Sequence, residues 1–139
     1  MANNQKNPYS RAKGGRRIDL DNRYFRSSWE ANYARYLNWL MSIGHIHKWE
    51  YEVDVFEFPF KRGNTTYTPD FKVFKDHDCY EYHEIKGWMD KDSAVKLKRM
   101  IKYYPNEKVI VVDKKQYYAL ARDVKNVING WECDAKHSI

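Results

Sequence analysis

Residues 67–88 read YTPDFKVFKDHDCYEYHEIKGW. Asp70 opens one strand-like run, Glu84 and Lys86 close the next, and the charged turn KDHDC lies between them. Two carboxylates and an amine brought together by a hairpin could grip a divalent cation and orient a water beside it. Strand side chains alternate between faces, so Tyr80, Tyr82, Glu84 and Lys86 share one face. With the turn symmetric about His77, Phe74 faces Tyr80, Lys72 faces Tyr82 and Asp70 faces Glu84. A slip of one residue would send the two acids to opposite faces. Like charges set opposite one another destabilise a sheet unless a cation lies between them. Mg²⁺, with Mn²⁺ as a substitute, takes carboxylate oxygens and keeps several waters, which suits such a pair. Lys86 could pair with Glu84, orient a water or stabilise charge on a phosphate. Pro69 fixes the backbone just ahead of Asp70. Taken singly, these residues also read as a solvated salt-bridge cluster at a hairpin end. The full arrangement of Pro-Asp, Glu-x-Lys and a basic chain favours phosphodiester hydrolysis.

Several elements must carry this hairpin. The spacing of Trp29, Tyr33, Tyr36, Leu37, Leu40 and Ile43 predicts a helix over 28–43 that Gly44 stops. HKWEYEVDVFEFPF reads as one strand ending at Pro59, and KRGNTT as a turn. A second helix is expected over 91–104, capped by Asp90 or Asp92, with Ala94, Leu97, Ile101 and Tyr104 as its apolar stripe. Pro105 ends it. KVIVVD is a continuous apolar run, expected to be a strand buried on both faces. KQYYALARDVKNVI suggests a last helix. The order α, β, β, β, α, β plus a C-terminal helix implies a single α/β domain with a mixed central sheet flanked by helices.

The chain has 139 residues, room for one domain, and its 12 tyrosines among 17% aromatics fit a globular protein with an interactive surface. No apolar run is long enough to span a membrane, and the N-terminus lacks the apolar core of a secretory signal. Cys79 and Cys133 provide no disulfide framework and read as buried or half-buried thiols in a reducing cytoplasm. The net charge is +6, and most of it lies early. Lys6, Arg11, Lys13, Arg16, Arg17, Arg23 and Arg26 face only Asp19 and Asp21 over residues 1–26. Residues 1–24 therefore read as a basic arm for a polyanion, and residues 25–139 as the folded domain.

TPDF followed by HEIKGW resembles the motif of the PD-(D/E)XK nuclease superfamily, and the expected element order over about 25–113 matches that superfamily's core. YFRSSWEANYARYLNWL followed by WEYEVDVFEF is similar to small phage-encoded nucleases of this type, including Holliday-junction resolvase-like proteins. The resemblance implies a restriction-endonuclease-like fold. It implies a metal site made by Asp70, Glu84 and the backbone carbonyl of Ile85. Glu30 on the first helix would assist, although Ser27 three residues earlier also gives it a helix-capping role. Lys86 would position and activate the water. Two ions about 4 Å apart would clamp the attacking and leaving oxygens. The products would carry a 5′-phosphate and a 3′-hydroxyl.

Other constellations are weaker. His45 and His47, or Cys79 with His83, do not complete a zinc set, and alternation puts His83 on the face opposite Glu84. Trp88 reads first as a core aromatic and second as a stacking surface for a base. Ser27 and Ser28 lack partners for nucleophilic work. Lys91, Lys98 and Lys102, with Lys96 and Arg99 beside them, form a basic face that would join Arg16, Arg17, Arg23 and Arg26 on the DNA backbone. The leading expectation is an Mg²⁺-dependent endonuclease that resolves four-way junctions as a homodimer in the cytoplasm of a phage host or bacterium. Homing, nicking or transposon-end cutting by the same chemistry, or a non-catalytic DNA-binding module, are the alternatives.

Overall fold

The computed structural model describes residues 14–133. Gly15–Arg17 (β1) and Arg23–Phe25 (β2) pair antiparallel around a 3-10 turn at Ile18–Leu20. The helix Ser28–Ser42 (α1) follows, with the Ser27 hydroxyl accepting the Glu30 N–H at 3.1 Å as its N-cap. Lys48–Tyr51 (β3) leads to the short strands Phe56–Glu57 (β4) and Thr66–Tyr67 (β5), which among the described residues pair with each other alone. Next come Phe71–Phe74 (β6), Tyr80–Lys86 (β7), the helix Lys91–Tyr103 (α2), Val109–Asp113 (β8) and the helix Lys114–Val124 (α3). The central sheet runs β3-β6-β7-β8. Its first two pairings are antiparallel and the last is parallel, so the sheet is mixed. A parallel neighbour needs a crossover, and α2 supplies it between β7 and β8.

The main core lies between α1 and the sheet. Trp29, Tyr33 and Leu37 of α1 pack on Phe71, Val73 and Ile85, joined by Phe25 and Tyr117. Each fully buried side chain of this size contributes about 1.5–3 kcal/mol. A smaller core of Phe58, Tyr67 and Met100 lies under α2. Among the described residues, no helix is long and apolar enough to cross a membrane.

Several expectations change. The basic arm expected over 1–24 is ordered from β1 onward, while Lys6, Arg11 and Lys13 lie outside the described residues. Arg17 is 8% exposed and forks onto Glu132, with Nε at 2.8 Å and Nη2 at 3.0 Å. Its charge is committed inside the molecule, which removes it from the expected DNA-contact set. The strand expected to reach Pro59 breaks after Tyr51, because Glu52 takes a left-handed φ of 49°. In α2 the buried residue is Met100, whereas Ile101 is 75% exposed and Ala94 is exposed. Leu97 and Tyr104 of the expected stripe do pack with Phe58, Tyr67 and Met100, so the helix is turned only enough to leave Ala94 and Ile101 outside this core. Residues 109–112 of β8 are half-buried, because β8 is an edge strand. Both cysteines are exposed.

Candidate metal centre and cleft

The β6–β7 hairpin has the symmetric register, with Phe71 opposite His83, Lys72 opposite Tyr82 and Phe74 opposite Tyr80. Asp76 shapes its turn: its Oδ1 accepts the N–H groups of Asp78 and Cys79, each at 2.9 Å. One step beyond the ladder, the Asp70 N–H donates to Glu84 Oε1 at 3.2 Å. Asp70 Oδ2 in turn accepts the Ile85 N–H at 2.8 Å. Asp70 is 2% exposed and Glu84 8%. The hairpin therefore buries two carboxylates against each other.

Two further acids converge on Asp70. Sequence reasoning missed Glu52. The β3–β6 pairing places Tyr51 opposite Phe71, and the next bond runs from the Glu52 N–H to the Asp70 carbonyl at 2.8 Å. Glu52, just past the end of β3, and Asp70, just before β6, thus lie in line with Glu84 of β7. Glu30 joins from the first turn of α1. Its backbone N–H is capped by Ser27, while its carboxylate accepts the Tyr51 hydroxyl, so cap and cluster use different atoms of one residue. Carboxylate oxygens of Glu30, Glu52 and Asp70 lie within 4.8 Å of one another.

Burial pushes the Asp70 carboxyl well above the usual range, and the charges of Glu84 and Glu30 add to it. Burial also raises Glu30, against the Tyr51 hydrogen bond and the Arg26 charge. Glu84 is raised by burial, against the Tyr67 hydroxyl at 2.8 Å, the Lys86 charge and the Asp70 N–H. Burial drives the Tyr67 phenol upward, reinforced by Glu84. It therefore remains a donor. A cluster of carboxylates held in such strain favours any cation that enters it.

Lys86 and Glu84 share one face of β7 and line one cleft of about 340 Å³ with Arg26, Glu52, Tyr67 and Lys96. The strand end carrying Lys86 runs close beneath α1. A Cβ on Gly87 would lie 2.8 Å from the Trp29 ring. Beyond it, Trp88 is 75% exposed rather than part of the core. His83 lies on the other face, as alternation requires, between Tyr33 Oη at 2.6 Å and Glu81 at 2.8 Å. Burial lowers its pKa.

The basic residues divide. Lys96 lines the cleft with Ser93 and Leu97. At about 100° per residue, Lys91, Lys98 and Lys102 fall on the opposite side of α2 from the buried Met100. Arg99 donates to the carbonyls of Gly63 at 3.1 Å and Asn64 at 2.8 Å and covers the Phe60 ring at 3.8 Å, which ties it to the fold. Arg16 bonds the Asn22 carbonyl at 2.9 Å at the surface, and Arg23 covers Trp49 at 5.0 Å. Arg26, expected on the DNA backbone, reaches into the acidic cluster in the DNA-free chain.

The chain belongs to the family described as "Protein of unknown function (DUF1064)", whose model matches residues 10–119 and so includes every acid of this cluster, Lys86 and the whole of α2. No curated protein and no solved structure matches the chain.

Proposed function

We propose that this chain is a divalent-cation-dependent endodeoxyribonuclease of the PD-(D/E)XK type, with Mg²⁺ as cofactor and four-way DNA junctions as substrate. One observation carries the reading: Asp70 and Glu84 are buried together where β6 meets β7, with Lys86 on the face of Glu84 and on the same cleft. A further support is the order of the elements that frame the cleft, α1, β3, β6, β7, α2, β8. With the small β4–β5 ribbon inserted between β3 and β6, it is compatible with the order that the resemblance implies.

The donors suit a hard cation. They are carboxylate oxygens, those of Glu30, Glu52 and Asp70 converge, and burial has raised Glu30, Asp70 and Glu84 above their ordinary range. Asp70, Glu84, Glu30 and the Ile85 carbonyl would hold the ion, and Glu52 adds a donor that the motif alone does not name. When bound, the ion supplies Lewis acidity and neutralises charge on phosphoryl oxygens. The protein supplies the rest. Lys86 donates hydrogen bonds to the attacking water and to the phosphate as negative charge grows there. Lys96, on the α2 side of the cleft, pairs with a backbone phosphate. Water adds to phosphorus, the P–O3′ bond breaks, and the leaving oxygen takes a proton. This gives a 5′-phosphate and a 3′-hydroxyl.

Resolving a junction needs two symmetric cuts, so the working form is a homodimer acting in the host or bacterial cytoplasm. The test is a panel of labelled four-way junction, linear duplex and flap substrates with Mg²⁺. Paired cuts across the junction with the duplex spared are expected. Preference for one long duplex sequence would move the assignment to a homing or nicking enzyme. No cutting of any substrate with Mg²⁺ or Mn²⁺ would overturn the nuclease reading in favour of a DNA-binding module.

A further inference from the structure

Arg26 occupies the place of a counter-ion. Its Nη2 lies 2.5 Å from Glu52 Oε2 and 3.3 Å from Asp70 Oδ1, and its Nε lies 3.9 Å from Glu30 Oε1. These are the same three carboxylates whose oxygens converge within 4.8 Å. One guanidinium therefore spans the cluster from the cleft side. A guanidinium stays charged across the whole working pH range, so it cannot leave by losing a proton. It can leave only by moving.

The geometry allows that movement. The Arg26 side chain is 57% exposed, and it also lines the open cleft. Its backbone is pinned on both sides, by fully buried Phe25 and by Ser27 at the α1 cap. A swing of the side chain would empty the cluster without disturbing β2 or α1. The vacated arginine would then project into the same cleft as Lys86 and Lys96, where a phosphate has to pass.

We propose that Arg26 is an exchangeable internal cation: a divalent ion must displace it from Glu30, Glu52 and Asp70, and the displaced guanidinium then pairs with a backbone phosphate of the DNA. The inference rests on the nuclease reading for the identity of both ligands. Its consequence is linkage. Arg26 competes with the metal in the free protein, and DNA draws Arg26 away, so DNA strengthens metal binding and metal strengthens DNA binding by the same factor.

The test is Mn²⁺ binding to the full chain, followed by electron paramagnetic resonance, with thermal melting in parallel. Arg26→Gln should bind Mn²⁺ about tenfold more tightly or better than wild type, the effect of removing a competing charge. Its metal-free form should melt below wild type, because three acids lose their counter-charge, and Mn²⁺ should raise its melting point by more. A short duplex should tighten Mn²⁺ binding to wild type but not to Arg26→Gln. Equal Mn²⁺ affinity in the two proteins overturns the exchange and leaves the nuclease reading standing. Absence of Mn²⁺ binding in both overturns the metal site itself and this inference with it. Should Arg26→Gln fail to fold, Arg26→Lys keeps a charge and loses the fork. It should then bind Mn²⁺ more tightly than wild type, and wild-type affinity would overturn the exchange.

Discussion

Burial and like charge act together on Asp70. Arg26, Glu30, Glu52 and Glu84 surround it, and the Ile85 N–H is its buried donor. Asp70, Glu30 and Glu84 all have carboxyl values raised by burial. A raised carboxyl binds more protons in the folded chain than in the unfolded one, so stability falls as pH rises. Their contribution is complete below the ordinary carboxylate value of about 4 and is lost as pH climbs through the raised values. Asp19 behaves oppositely. The Arg35 hydrogen bond holds it low, so its contribution is lost only as pH falls through that lowered value. Urea unfolding in a chelator should therefore show a cluster contribution that declines as pH rises above about 4, set against buried His83, whose lowered value makes stability rise with pH. The difference in stability between wild type and Asp70→Asn isolates the cluster and should fall as pH rises. A difference that grows with pH would contradict the electrostatics of the cluster. Asp70, Glu84 and Lys86 were legible because a hairpin has one symmetric register and alternation does the rest. Glu52 was not legible. Its neighbour across the sheet is Asp70, and pairing a strand with one that follows a long excursion leaves no local signal. Its positive φ at a non-glycine position has none either.

Periodicity located α1, α2 and α3 to within a residue or two at their starts, because caps and prolines mark them chemically: Ser27, Asp90 and Asp113 each accept the N–H that their cap position requires. It placed the faces less well. Of the expected α2 stripe, Leu97 and Tyr104 pack on the core of Phe58 and Tyr67, but Met100 takes the buried place and Ala94 and Ile101 lie outside it. That rotation changes which lysine meets the cleft. Lys96 lines it, while Lys98 borders a shallow hollow beside Phe60 and Tyr103. Lys96→Ala should weaken DNA binding severalfold and reduce its salt slope by about one unit, whereas Lys98→Ala should change both far less. Fluorescence anisotropy over a salt series reads both quantities. A larger effect from Lys98→Ala would mean that DNA crosses the far side of α2. The break in β3 has a similar origin. WEYEVDVFEF alternates well enough for one strand, but its second half leaves the sheet to pair with β5, and that small ribbon delivers Tyr67 to Glu84.

At the scale of the molecule, the two ends of the described chain close on α1. Glu132 bonds Arg17 and Arg35, Asp19 bonds Arg35, and Asn32 bonds the Tyr117 hydroxyl and the Glu132 carbonyl. This is why the first half of α1 is buried even on its polar side, and why the charge expected to form a loose arm is partly spent on the fold. Contacts between residues about a hundred positions apart carry no sequence pattern, so the reading of residues 1–24 as a basic arm had nothing local to correct it. What the closed fold leaves open is the cleft, lined by Glu52 and Glu84 of the cluster together with Arg26, Lys86 and Lys96. The central claim is that this site cuts DNA with its own acids. The direct measurement is cleavage of a labelled four-way junction in Mg²⁺ by wild type, Asp70→Asn and Lys86→Ala, each first shown to melt cooperatively and to bind the junction in a chelator. Wild type should cut, and both variants should lose cutting by about a hundred- to a thousandfold, as removal of charge-stabilising groups does, while still binding. Undiminished cutting by folded Asp70→Asn, or no cutting by wild type, would contradict the account.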